Sequence, residues 1–167
     1  MNRNETLRLQ PAVPSGLQRS PEKGTGGHWI GDKFIPEGIA VNVAPYSLHR
    51  DPRYFSPSPE EFIPERWLPS KAKRVFARGA DTSKDLKPVI SEFITNTAAF
   101  IPFSTGPANC VGRNLAIVEM RMVITLLVQR FEMRLADGYD PREWFENTND
   151  WFVVKTGQLP VILTPRA

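Results

Sequence analysis

The chain has 167 residues, 41% of them hydrophobic, with 16 prolines and a formal net charge of +3. That length and apolar share suit an ordinary folded domain and exclude a disordered chain. A small charge with no basic run among aromatic residues argues against a nucleic-acid surface, and a single cysteine cannot form an internal disulfide.

The opening NETLRLQP reads as the tail of a helix. Pro11 lacks an amide donor and biases Gln10 away from helical angles, so the helix stops there. So short a piece is expected to be the end of an element that starts upstream. The polar start MNRNETLRLQP does not read as a secretory signal. From Val13 to Gly27, Pro14, Gly16, Pro21, Gly24 and Gly26 predict turn-rich, irregular chain. The next stretch, HWIGDKFIPEGIAVNVAPYSL, alternates apolar and polar residues about a turn and predicts short strands. Asp51 to Pro69 carries five prolines among Tyr54, Phe55, Phe62 and Trp67, so it cannot be regular but has apolar surface to pack.

Lys71 to Lys87 is polar and charged and predicts a solvated loop. Gly112 to Arg134 reads as one long helix. Leu115, Val118, Met122, Leu126 and Phe131 mark one face, and Ile117, Val123, Ile124 and Leu127 widen it. A helix so apolar is expected to be buried in a larger core. Its most apolar run, Met122 to Val128, is too short to span a bilayer. The tail WFVVKTGQLPVILTP predicts a strand, a turn at Thr156-Gly157 and a second strand. There is no internal repeat and no linker, which predicts one domain over residues 1–167.

The lone cysteine lies in FSTGPANCVG, residues 103–112, at the mouth of the long helix. Unpaired backbone amides and the positive end of the helix dipole favour an anion there, which suits a thiolate. Gly106 permits backbone angles closed to other residues, Gly112 removes a side chain from the first turn, and Phe103 offers a flat aromatic face. Such a loop fits a soft metal ligand, haem iron being one case. The other reading is inert buried filler, since cysteine is among the most buried residue types.

FSTGPANCVG fits F-x-x-G-x-x-x-C-x-G, and it resembles the haem-binding loop of the cytochrome P-450 family, the haem-thiolate monooxygenases. Two further segments fall in that family's order. Glu5 and Arg8 match its E-x-x-R helix, and Pro64-Glu65-Arg66-Trp67 resembles its P-E-R-F/W segment, whose arginine completes a buried network with that pair. The resemblance covers essentially the whole chain but only about the last third of the family's fold. It implies a mainly α chain with small β-sheets (α+β) and one long buried helix after the cysteine loop.

The resemblance also implies roles. Cys110 is the axial thiolate of haem b, Phe103, Gly106 and Gly112 shape the pocket under it, and Arg19 with Asn109 serves the propionates. Ala108 stands where the family usually has Arg or His for a propionate, which removes one charged contact. Glu5, Arg8 and Arg66 hold the scaffold, while His28 and His49 are surface or hydrogen-bonded residues rather than iron ligands. The full-length parent takes electrons from a reductase and oxidises a small organic substrate. No segment resembles the family's oxygen-activating helix or its N-terminal membrane anchor, although relatives are often attached to the endoplasmic reticulum. No catalytic residue is therefore assigned. The chain is expected to be a C-terminal fragment that is inactive alone, the alternative to a monooxygenase segment being an inert piece or a non-enzymatic haem-binding module.

Overall fold

The computed structural model describes residues 2–68, 74–75, 89–90 and 93–166. The chain forms two compact units, Met1–Pro102 and Phe103–Ala167.

The first unit opens with α1, Asn2–Leu9, and the helix ends ahead of Pro11 as its sequence predicts, with Gln10 N–H donating to Thr6 O at 2.7 Å. Only one face of this helix is buried, and that face carries charge: Glu5 and Arg8 are both fully enclosed. An irregular stretch follows, tied down where Arg19 and Val41 exchange backbone hydrogen bonds of 2.8 Å. Strands β1 (Gly27–Ile30) and β2 (Lys33–Pro36) form an antiparallel hairpin, paired from Gly27↔Pro36 to Ile30↔Lys33. The turn between them needs a left-handed residue and has Gly31 at φ +61°.

Helix α2, Pro45–Leu48, starts on a proline, whose fixed φ suits a first turn, and is followed by His49 as its C-cap. The proline-rich segment after it contains one two-residue strand, β3 (Phe55–Ser56), and a 3₁₀ turn at Pro64–Trp67. Most of the loop expected over 71–87 lies outside the described residues. Within it, β4 (Arg74–Val75) pairs antiparallel with β5 (Val89–Ile90). Strand β6 (Ile94–Thr95) returns to pair with β3, and a 3₁₀ turn at Thr97–Ala99 is capped by the Asn96 side chain, which accepts from Ala98 N–H at 3.0 Å.

Apolar packing in this unit gathers on Phe55, Ile63 and Ala99. The rings of His49, Phe55, Trp67 and Phe100 close around it, with centroid separations from 4.6 Å (Trp67–Phe100) to 6.4 Å (Phe55–Trp67).

The second unit begins with the cysteine loop and α3, Arg113–Arg130. The helix is shorter than its hydrophobic pattern predicts. Phe131–Leu135 is a strand, β7, paired antiparallel with β10 (Val161–Pro165) from Phe131↔Pro165 to Leu135↔Val161. The period-two alternation of Phe131, Met133 and Leu135 with Glu132 and Arg134 suits either reading locally, and ladder pairing decides it. A short α4 (Arg142–Glu146) precedes β8 (Asn149–Trp151) and β9 (Val153–Lys155).

The expected single strand from Trp151 to Lys155 is instead the end of a tight hairpin. It reverses at Phe152, at φ +78°, whose N–H donates to the Asp150 carboxylate at 3.0 Å. The second expected strand pairs with β7, not with the first. The burial expected of the long helix is also absent: no α3 residue is buried, and Leu115 and Val118 are 63% and 58% exposed. The apolar pattern forms the helix, and the described residues leave its apolar side chains largely exposed.

Candidate functional site: the cysteine loop and a buried charge cluster

Loop 103–112 is shaped by its own backbone. Ser104 and Gly106 both adopt left-handed angles, φ +62° and +72°, and a 3₁₀ turn runs from Gly106 to Ala108. The loop is closed by Cys110 N–H donating to Phe103 O at 2.9 Å and by Asn109 N–H donating to Gly106 O at 3.2 Å. Arg113 N–H then bonds Cys110 O at 3.2 Å and leads into α3. Gly112 occupies the N-cap position of that helix and offers no capping side chain.

Cys110 is a free, exposed thiol. A Cβ on Gly112 would lie 3.9 Å from its sulfur, an ordinary contact, and a Cβ on Gly106 would meet no atom within 4 Å. The loop therefore leaves open space around a single soft donor at a helix mouth. Among the described residues no group of three or more His, Cys, Asp or Glu side chains could hold a metal ion. Phe103 is half-buried and Asn109 exposed. Arg19 belongs to the other unit, is exposed, and donates from Nη1 to Gln18 O at 2.9 Å.

In the first unit, Glu5, Arg8 and Arg66 are brought together at 0% exposure. Arg8 grips the Glu5 carboxylate with two parallel bonds, Nε to Oε2 at 2.9 Å and Nη2 to Oε1 at 2.8 Å. Arg66 Nε donates to Oε1 at 2.9 Å. Two further donors come from the segment around Arg66: Ile63 N–H to Oε1 at 2.9 Å, and the Trp67 indole to Oε2 at 2.8 Å. Burial alone would raise the Glu5 carboxyl. The bonds from Arg8, Ile63 and Trp67 and the charge of Arg66 outweigh it and hold the group below the usual carboxylate range.

Further guanidinium hydrogens go to carbonyls. Arg8 donates to His49 O at 2.7 Å, Pro59 O at 2.5 Å and Glu61 O at 3.0 Å, and Arg66 donates to Pro57 O and Ser58 O. The cluster thus ties α1 to the proline-rich segment, which has almost no regular backbone pairing of its own. A planar five-donor fork is the side chain suited to this task.

One member escapes sequence reasoning, and a second takes the hydrogen-bonded of its two expected readings. Trp67 reads as an apolar packer, yet its indole N–H completes the Glu5 shell. His49 reads as a surface or hydrogen-bonded residue, and it is fully buried, with both ring nitrogens engaged. His28, by contrast, lies in the exposed hairpin strand β1.

The sequence profile of the family described as Cytochrome P-450 matches residues 3–162. A cytochrome P-450 monooxygenase of Hypoxylon pulicicidum is 39% identical over 98% of this chain and 27% of its own length. A trichothecene C-15 hydroxylase of Fusarium sporotrichioides is 37% identical over 98% of this chain and 28% of its own. Among solved structures, a zebra fish cytochrome P-450 with abiraterone superposes with a TM-score of 0.68 at 24% identity, over 98% of this chain and 31% of that one. The chain therefore spans a little over a quarter of the length of these two curated relatives, and its helices and small antiparallel sheets correspond to one part of the solved fold. The chain belongs to the cytochrome P-450 family.

Proposed function

We propose that this chain is the cysteine-bearing part of a haem monooxygenase, in which Cys110 would hold the iron of haem b. One observation carries the reading: a free, exposed thiol on a glycine-opened loop at the mouth of α3, in a chain of this family. Bound there, haem supplies the activation of dioxygen, with electrons from a reductase, for insertion of one oxygen atom into a small organic substrate.

The chain's own residues hold and tune. Cys110 Sγ would hold the iron and supply it with electron density. Its N–H is committed to Phe103 O, which fixes the loop backbone that carries the sulfur, while Phe103 gives an aromatic wall and Gly106 and Gly112 leave room for a flat group. Asn109 is exposed and offers an N–H donor to a carboxylate, in place of the cation that Ala108 does not provide, and the exposed Arg19 is proposed for a propionate on the family resemblance alone. Glu5, Arg8 and Arg66 act on the scaffold and touch no reacting atom. Cys110→Ala in the full-length protein is expected to abolish the thiolate-type carbon monoxide spectrum, and an unchanged spectrum would sink the assignment.

A second reading concerns the chain alone, as an inert piece or a non-enzymatic haem binder. It is favoured by the unburied apolar residues of α3. Reconstitution with haem and a reductase decides it. Reductant-dependent turnover of any substrate, lost in Cys110→Ala, would overturn this second reading.

A further inference from the structure

Among the fully enclosed side chains of the first unit, His49 is the one whose ordinary titration range lies near neutral pH. Its two ring nitrogens meet backbone groups of different kinds. Nδ1 lies 3.1 Å from Arg8 O in α1, and Nε2 accepts Ile101 N–H at 2.9 Å. A carbonyl only accepts and an amide only donates, so one form satisfies both: the neutral ring with its proton on Nδ1. A second proton would have to go on Nε2. The charged ring would keep its bond to Arg8 O and turn a donor toward the Ile101 donor.

That asymmetry falls on a lightly tied piece of chain. Residues 96–102, NTAAFIP, hold no ionisable side chain. Within the piece, the Ala99 and Phe100 amides donate to Asn96 O and Thr97 O and close a 3₁₀ turn. Two backbone donors reach out of it, Asn96 N–H to Tyr54 O at 2.9 Å at its start and Ile101 N–H to His49 near its end. Pro102 comes next and has no N–H to take over the second tie. The Phe100 ring adds packing, its centroid 5.5 Å from that of His49 and 4.6 Å from that of Trp67.

The surroundings keep the ring neutral. Among the described residues the charged groups that bear on it are cations, Arg8 from α1 and Arg50 beside it. The Glu5 carboxylate of α1 is engaged by Arg8 and Arg66, while Phe55 of β3 and Phe100 present uncharged rings. Burial, with those two cations, pushes the His49 pKa down to about 4.

We infer that His49 is an acid-sensitive latch inside the first unit. The neutral ring fastens residues 96–102 to α1 through Ile101, and the protonated ring stays on α1 and lets their end go. Cys110 has no part in the device, which stands or falls apart from the haem reading.

The test is amide hydrogen exchange of the full-length protein at about pH 7 and about pH 5, corrected for the intrinsic effect of pH on exchange. The segment containing Ile101 is followed beside a reference in the same unit, the Val41 amide, which donates to Arg19 O at 2.8 Å. Protection of the Ile101 segment should fall roughly twentyfold between the two conditions. That ratio is set by a ring that binds its proton at about 4 when latched and at about 6.5 when free. The Val41 segment should hold its protection. His49→Gln offers Ile101 an acceptor that does not titrate, and it should abolish the fall.

An Ile101 segment that stays protected in the wild type overturns the inference. A fall shared equally by Val41 also overturns it, because the whole unit is then loosening. So does an undiminished fall in His49→Gln. Should that variant fail to fold, the two wild-type segments still decide.

Discussion

At the scale of residues, the first unit is organised around one carboxylate. Glu5 accepts from two guanidinium groups, a backbone amide and an indole, all at 2.8–2.9 Å. Removing one partner of such a buried pair leaves an uncompensated charge and costs about 3–5 kcal/mol. Arg8→Ala or Arg66→Ala in the full-length protein should therefore give little folded holoprotein, and normal melting with wild-type haem content in both would contradict this. Trp67→Phe is the finer probe, because it keeps the ring and deletes only the bond to Glu5. A hydrogen bond to a charged group is worth about 1.5–3 kcal/mol, and urea midpoints should show a loss of that size.

His49 supplies a pH signature. Its folded pKa, about 4, lies below its ordinary value of 6.5, so the unfolded chain takes up the proton first as pH falls. Its contribution to stability is complete above about pH 6.5 and is lost progressively toward pH 4. The loss approaches roughly 3 kcal/mol at 1.36 kcal/mol per unit. Glu5, also held below its usual range, adds a further loss only at lower pH, as its carboxylate protonates. Thermal melts between about pH 7 and about pH 5 should show a steeper decline for the wild type than for His49→Gln. Equal slopes would mean that His49 is already solvated.

At the scale of elements, the cysteine loop contains two glycines with different work to do. Gly106 sits at φ +72°, where a side chain is strained even though its Cβ would meet open space. Gly106→Ala should cost about 1–2 kcal/mol of stability through the backbone alone. Gly112, at φ −81°, carries no such strain. Gly112→Ala should change stability by no more than about 0.5 kcal/mol. Its Cβ would stand beside the Cys110 sulfur, so any effect belongs to the ligand spectrum. Thermal denaturation set beside that spectrum separates the roles, and equal destabilisation by the two substitutions would refute the distinction.

At the scale of the whole molecule, apolar surface is the dominant fact. Leu115, Val118 and Met122 recur at helical spacing on α3 and are 63%, 58% and 55% exposed. Uncovered apolar area carries a cost of about 25 cal/mol per Å² relative to burial, and a contiguous patch favours association. The chain expressed by itself should self-associate, and polar replacements at these three positions should reduce it. A monodisperse monomer in sedimentation would show that the face is tolerated in water. No described helix is long and apolar enough to cross a membrane.

Local chemistry alone determined a good deal. Pro11 ends α1, the glycine and proline punctuation forbids long elements before residue 70, and the alternation from His28 to Ile35 makes a hairpin. The motifs that contain Glu5, Arg8, Arg66 and Cys110 carry the resemblance to the family. Tertiary structure decided what no local pattern encodes. Phe131–Leu135 is as compatible with a helix as with a strand until β10 lies beside it. Phe152 reverses the chain because its amide finds the Asp150 carboxylate. Trp67 and His49 acquire their roles from acceptors and donors more than forty residues away along the chain. A hydrogen bond of that span is set by folding, whereas the pattern that a sequence displays is set by neighbours within a turn or two.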